Sequence, residues 1–111
     1  MAKRIQRKRV KGWKLPPGAV CVTRPGIFGN PFRAGVHGTP CECVGMFRSL
    51  LALSGVALLD FVWKHALDED AVTRLRQNAP TLRGKDLACF CPLDAPCHAD
   101  VLLEFADREV K

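Results

Sequence analysis

The sequence has 111 residues, a net charge of +6, 48% hydrophobic residues and 25% charged residues. This composition is typical of a single folded domain with a modest core, and it excludes a disordered chain. No apolar run reaches the length of about 18 residues that a membrane span needs, and no apolar stretch follows the basic N-terminus as in a secretory signal. We therefore expect a cytoplasmic protein without membrane partners, whose six cysteines are reduced thiols free to bind metal.

The positive charge is concentrated in an N-terminal arm, residues 1–18. Seven basic residues and no acidic residue lie in the first 14 positions, whereas the remainder of the chain is nearly neutral. Such an arm suits phosphate backbones. The predicted nucleic-acid contacts are Arg4, Arg7, Lys8, Arg9 and Lys11. Two other interpretations stay open: a solvated tail, or an edge strand whose charges prevent aggregation, which the alternation of polar and apolar residues at the start of the arm favours.

A short strand and a long loop follow the arm. Residues 19–23 (AVCVT) have the pattern of a buried strand. The loop after it extends over residues 24–38, and loops of that length in compact domains are usually functional. Arg24, at the end of the strand, carries a guanidinium fork that suits a phosphate or carboxylate. Asn30 lies between glycine and proline, and together with Arg24 it is predicted to form one wall of a pocket.

The middle of the chain has helical periodicity and clear helix starts. Thr39 can cap a helix in which Pro40 occupies the first turn and Glu42 completes a capping box. Asp68 can cap another helix, whose first turn is acidic and whose last turn is basic. The pattern predicts three helices, at residues 39–53, 56–66 and 68–78.

A second strand and a closing helix complete the pattern. Residues 86–91 read as a strand, and His98 begins an amphipathic helix that extends to Phe105. Strands separated by helices favour parallel pairing. We predict one small α/β domain over residues 19–111, Rossmann-like, with a short, mainly parallel sheet flanked by helices. The basic arm, residues 1–18, precedes it.

Four residues with metal-binding or nucleophilic side chains lie in the last third of the chain: Cys89, Cys91, Cys97 and His98. They supply the number of ligands that a tetrahedral zinc ion needs. In a regular strand, however, the first two side chains would lie nearly 7 Å apart, and adjacent residues of a helix point in different directions. A closed site with all four residues as zinc ligands is therefore the alternative interpretation. Outside that interpretation, Cys89 more simply packs in the core.

The leading interpretation is an anion-binding or catalytic pocket where the second strand meets the closing helix. Ligands of open α/β sheets bind outside the carboxyl ends of the strands, and helix N-termini attract anions and lower thiol pKa values. Cys97 could be an activated thiolate and His98 an acid, base or phosphate contact. Asp100 could orient a histidine, and Cys91 would line the pocket. This interpretation needs no cofactor.

Several segments together resemble a known family. They are residues 4–13 (RIQRKRVKGW), Arg24-Pro25, residues 29–32 (GNPF) and residues 82–104 (LRGKDLACFCPLDAPCHADVLLE). In this order they resemble domain-of-unknown-function family 4326, found widely in bacteriophages and bacteria. The resemblance implies a phage-type protein, expressed in the host cytoplasm if phage-encoded. It implies no particular activity.

Two hypotheses from different classes follow. The first is a protein that binds or processes a nucleotide or a nucleic-acid phosphate group in the pocket at residues 91–98. The second is a non-enzymatic interaction module, stabilised by zinc, whose basic arm contacts nucleic acid or a host protein. Metal content and the position of His98 relative to the other pocket residues discriminate between them.

Overall fold

The computed structural model describes the backbone of residues 2–23 and 26–108, with side chains to Ala106. Arg24, the predicted guanidinium of the pocket, therefore lies outside the described residues. The described part of the chain forms three short strands and four helices, which confirms the predicted α/β class. They are β1 (Arg4–Gln6), β2 (Val20–Cys21), α1 (Pro40–Ala52), α2 (Gly55–Lys64), α3 (Glu69–Asn78), a 3-10 turn (Ala79–Leu82), β3 (Leu87–Cys89) and α4 (His98–Arg108).

The sheet is parallel, with the strand order β1-β3-β2. Its central strand, β3, is buried at every position because it pairs on both sides and α4 packs against it. The edge strand β1 comes from the basic arm, so the alternation near its start does indicate a strand. The pairing continues past β1 through the Arg7 amide, which donates to the Cys89 carbonyl over 2.6 Å. The carboxyl end of β3 is thus held where the following loop begins.

The helices begin where the sequence predicts. Thr39 and Glu42 form the predicted capping box, and Pro40 occupies the first turn of α1. The Asp68 carboxylate accepts from the amides of Asp70 and Ala71 at the start of α3. α1 packs against α4 in the core. None of the helices in the described part of the chain combines the length and the hydropathy that crossing a bilayer requires.

The connection between α2 and α3 contains a strained residue. α2 ends in a Schellman motif, in which the Ala66 amide donates to the Trp63 carbonyl over 3.1 Å and the Leu67 amide donates to the Val62 carbonyl over 3.0 Å. This motif needs a left-handed residue, and Ala66 adopts a φ of 53°. Glycine is the residue that takes this conformation without steric cost.

We expect Ala66→Gly to increase the free energy of unfolding by about 1 kcal/mol, because glycine relieves the clash of the alanine Cβ in the left-handed region. Urea unfolding measures the change. Ala57→Gly is the matched control: it places the same substitution inside α2, where it should destabilise by about 1 kcal/mol. A loss of stability in Ala66→Gly equal to that in the control would contradict the prediction.

Candidate metal centre and pocket

Three cysteine sulfurs converge at the carboxyl end of β3. Cys89 is the last residue of β3, Cys91 follows two positions later, and Cys97 directly precedes α4. Their Sγ atoms all lie within 4.8 Å of one another, and the Sγ atoms of Cys89 and Cys97 are 2.9 Å apart. Cys89 and Cys97 are each only 1% exposed, whereas Cys91 is half-buried. Three close thiols of this kind could hold a metal ion.

The chain bends at Phe90, and this bend brings the three sulfurs together. The strand ends at Cys89 instead of continuing to residue 91, and the Cys91 amide donates a hydrogen bond back to the Cys89 sulfur. The sequence analysis assumed a regular strand, with a separation of nearly 7 Å between alternate side chains. That assumption is wrong for Cys89 and Cys91, whose sulfurs lie within 4.8 Å of each other, whereas Cys89 does pack in the core as expected.

Cys97 occupies the position that caps α4. Its carbonyl accepts from the Asp100 amide over 3.1 Å, and its sulfur accepts from the Ala99 amide. The hydrogen bond from Cys89, the contact with His98 and the Ala99 amide together lower the pKa of Cys97, and they outweigh burial, which raises it. In turn, the hydrogen bond to Cys97 and burial raise the pKa of Cys89. Cys97 is therefore the first thiolate of the cluster.

His98 is buried beside the cluster with a defined tautomer. Its Nε2 lies 2.6 Å from the Val22 carbonyl, which can only accept, so Nε2 carries a proton. Its Nδ1 lies 3.7 Å from the Cys97 Sγ. In the imidazolium form Nδ1 donates to the thiolate and so lowers the pKa of Cys97, whereas in neutral histidine the same nitrogen carries a lone pair. A histidine ligand of a metal commonly donates its other N–H to a carbonyl in this manner.

The donor set fits a zinc ion with small adjustments. Two thiolates on one tetrahedral zinc lie about 3.8 Å apart, and a thiolate and an imidazole nitrogen about 3.6 Å. The sulfur–sulfur distances in the structure are close to this value. The Cys89 and Cys97 sulfurs are 2.9 Å apart, and no two of the three sulfurs are more than 4.8 Å apart. The set within 4.8 Å does not include His98, although its Nδ1 is 3.7 Å from Cys97. A three-thiolate site therefore needs the least movement.

Arg4 holds the loop that connects Cys91 to Cys97. Its guanidinium donates to the carbonyls of Pro92 over 2.9 Å and Leu93 over 2.6 Å. It also pairs with the Asp100 carboxylate of α4 over 3.1 Å, and its own side chain is 7% exposed. Arg4 thus joins the edge strand, the cysteine loop and the closing helix. Its guanidinium is already occupied within the chain, which sets it apart from Lys8, Arg9 and Lys11, the exposed arm residues that are predicted to contact nucleic acid.

A cavity of about 410 Å³ opens onto the cluster. The three cysteines, His98 and Asn30 are among the residues that line it. The Asn30 amide also holds its own loop, since Nδ2 donates to the Cys43 carbonyl over 3.3 Å and Oδ1 accepts from the Phe32 amide over 3.0 Å. Asp100 does not line the cavity, and its carboxylate faces Arg4 instead.

The arm reaches the mouth of this cavity through an aromatic contact. The guanidinium carbons of Arg7 and Arg9 lie 4.4 Å and 4.1 Å from the centre of the Phe90 ring. Arg9 is exposed and lines the cavity, whereas Arg7 also donates to Thr23 over 2.9 Å. Lys8 and Lys11 are exposed further along the arm. The lining residues in the described part of the chain include no carboxylate, and Arg9 places a positive charge at the mouth.

The sequence analysis did not identify Phe90 or the internal role of Arg4. Phe90 lies between two cysteines, where an apolar residue is most simply interpreted as an ordinary residue of a strand. Arg4 lies in a basic run that suggested an external partner. The remaining cysteines are free thiols, and Cys41 and Cys43 form no metal-binding group with His37 within the described residues. The Cys43 thiol is buried, and the His37 Nδ1 accepts from the Arg33 amide.

The fold and the site together define a small α/β domain with a thiol cluster at the carboxyl edge of a parallel sheet. The chain belongs to the family described as Domain of unknown function (DUF4326), whose model matches residues 5–108. The match includes Ile5 and Gln6 of β1, the residues that line the cavity and the complete cysteine cluster. No curated protein and no solved structure matches the chain.

Proposed function

We propose that the protein binds one zinc ion through the thiolates of Cys89, Cys91 and Cys97, with the fourth position left to His98 or to a ligand in the cavity. The supporting observation is the convergence of three sulfurs within 4.8 Å on the wall of a cavity of about 410 Å³. Soft thiolates favour zinc over magnesium or calcium. Three protein ligands beside an open cavity are typical of catalytic zinc sites, where the ion polarises a bound water or ligand oxygen.

Metal content tests the zinc proposal directly. Protein purified without added zinc is expected to carry about one zinc ion per chain, measured by elemental analysis and native mass spectrometry. Removal of the ion with a chelator should lower the melting temperature, because binding energy contributes to folding. Re-addition of zinc should restore it. Protein that carries no zinc, and whose melting temperature is the same with and without added zinc, would contradict the proposal.

We propose in addition that the cavity takes an anionic ligand, with a nucleotide or a nucleic-acid phosphate group as the best candidate. The supporting observation is the position of Arg9, which lies over Phe90 at the mouth of a cavity without carboxylates. Exposed Lys8 and Lys11 would extend this positive surface along a polyanion. The α4 N-terminus at Cys97-His98 adds the partial positive charge of a helix end.

Binding of adenosine monophosphate and of a short single-stranded oligonucleotide, measured by calorimetry at low and moderate salt, tests the ligand proposal. Arg9→Ala is expected to weaken binding of both at least about tenfold, because it removes the cation at the mouth. His98→Ala should abolish binding of the mononucleotide in the cavity. Lys14→Ala, an exposed change outside the cavity lining, is the matched control. Equal affinities in the Arg9 and Lys14 variants would contradict the proposal.

A further inference from the structure

α2 exposes an apolar stripe on the side that faces away from the core. Val56 is 74% exposed, Leu59 is 54% exposed and Trp63 is 80% exposed. The three residues are spaced three and four positions apart, so they lie on one face of the helix. The opposite side of α2 contacts the core through buried Val62 and half-buried Phe61. The helix is therefore apolar on two sides, and the fold covers only one of them.

Exposed side chains of this kind are common singly, but three on one short helix mark an interaction surface. Trp63 is the most informative of them. Tryptophan is enriched at the centres of interfaces because it buries about 150–250 Å². We call Val56, Leu59 and Trp63 the α2 stripe.

We propose that the α2 stripe pairs with the α2 stripe of a second copy of this chain, the two helices running antiparallel about a two-fold axis. The charges that flank the stripe support this pairing. Asp60 directly follows Leu59, and Lys64 directly follows Trp63, so both charges lie along the same edge of the stripe. Both are exposed, and neither forms an ion pair within the described residues.

A two-fold axis that passes level with residue 62 gives each of these charges a partner of opposite sign. It places Asp60 of each copy level with Lys64 of the other, so that two equivalent ion pairs close one edge of the interface. The same axis leaves Trp63 within about 3 Å, along the helix direction, of Leu59 in the second copy, given the rise of about 1.5 Å per residue. This pairing therefore buries the apolar stripe and also forms ion pairs along its charged edge. In a parallel two-fold pairing the charged edges of the two helices would lie on opposite sides of the interface, so Asp60 and Lys64 of the two copies could not pair.

The stripe predicts a weak, reversible dimer. Three side chains cover less than the about 800 Å² per partner that a stable interface buries. We expect a dissociation constant on the order of 10 μM, with monomer dominant in dilute solution. This inference is independent of the zinc site, because α2 contributes no residue to the cysteine cluster or to the cavity lining.

Sedimentation equilibrium of the full chain over a range of concentrations, at constant zinc content, tests the inference. Wild-type protein should show a monomer–dimer equilibrium. Asp60→Lys and Lys64→Asp should each weaken association at least about tenfold, because each replaces two attractive pairs by two repulsive ones. The double variant, D60K with K64D, should recover the wild-type dissociation constant. Trp63→Ser should leave the chain monomeric and folded, as circular dichroism would confirm.

Asp70→Lys, a charge reversal at an exposed position of α3, is the matched control and should leave association unchanged. A chain that stays monomeric up to about 1 mM would overturn the inference. A dimer that is insensitive to Trp63→Ser would also overturn it, since the contact would lie elsewhere. Failure of the double variant to recover association would overturn the antiparallel arrangement.

Discussion

Cys97→Ser is expected to reduce zinc affinity at least about 100-fold, because it removes one of the three sulfur ligands of the cluster. Serine keeps an oxygen at the start of α4 that can accept from the Ala99 amide, as Cys97 does now. The helix start should therefore survive while the metal site is lost. Competition against a chromophoric chelator measures the affinity, and circular dichroism measures the fold.

Cys41→Ser is the matched control for this change. Cys41 is an exposed cysteine of α1, outside the group whose sulfurs converge. Its replacement should leave zinc affinity within about twofold of wild type. Cys89→Ser should lower affinity as Cys97→Ser does, because it belongs to the same group. If Cys97→Ser bound zinc as tightly as Cys41→Ser, the cluster would not be the metal site.

Arg4→Met is expected to lower zinc affinity about 10- to 100-fold, although no atom of Arg4 touches a cysteine sulfur in the described contacts. Changes in metal affinity of this size are typical when a residue is replaced that does not contact the metal but holds its ligands in position. Without the guanidinium, the carbonyls of Pro92 and Leu93 lose their donor and Asp100 loses its cation. The loop between Cys91 and Cys97 would then sample many conformations. Zinc binding would have to order this loop, and the entropic cost lowers the zinc affinity.

Stability and affinity together separate this positioning role from general destabilisation. Arg4→Met should also lower the free energy of unfolding of the metal-free protein by about 1–3 kcal/mol, because two carbonyls lose their hydrogen bonds. Lys8→Met, a change of the same kind at an exposed site in the arm, should change neither quantity. Arg4→Lys, which keeps the charge but not the fork, should give an intermediate zinc affinity. Wild-type zinc affinity in Arg4→Met would contradict the positioning role.

Local sequence signals predicted the helices well. The capping box at Thr39 and Glu42 and the cap at Asp68 involve residues within three positions of one another, so their chemistry is visible in the sequence. The positions of Asn30 and His98 on one cavity also follow from the rule that sites form at the carboxyl ends of parallel strands. That rule needs only the order of the elements.

The arrangement of the cluster could not be predicted in the same way. Alternation of cysteine and phenylalanine at residues 89–91 looks like a strand, and the turn at Phe90 depends on where the pairing with β1 stops. Arg4 contacts residues almost 90 positions away, so its role depends on the register of β1 against β3. The letters of a basic run do not distinguish the arginines that bind within the fold, such as Arg4, from those that stay exposed, such as Arg9.

Cobalt(II) titration of the metal-free protein tests the central claim most directly, because the intensity of the sulfur-to-cobalt charge-transfer bands reports the number of thiolate ligands. A zinc centre formed by Cys89, Cys91 and Cys97 predicts one cobalt ion per chain, a tetrahedral visible spectrum and charge-transfer intensity typical of three thiolates. Zinc should displace the cobalt and abolish these bands. A spectrum without charge-transfer bands, or with the weak absorption of octahedral cobalt, would contradict the claim.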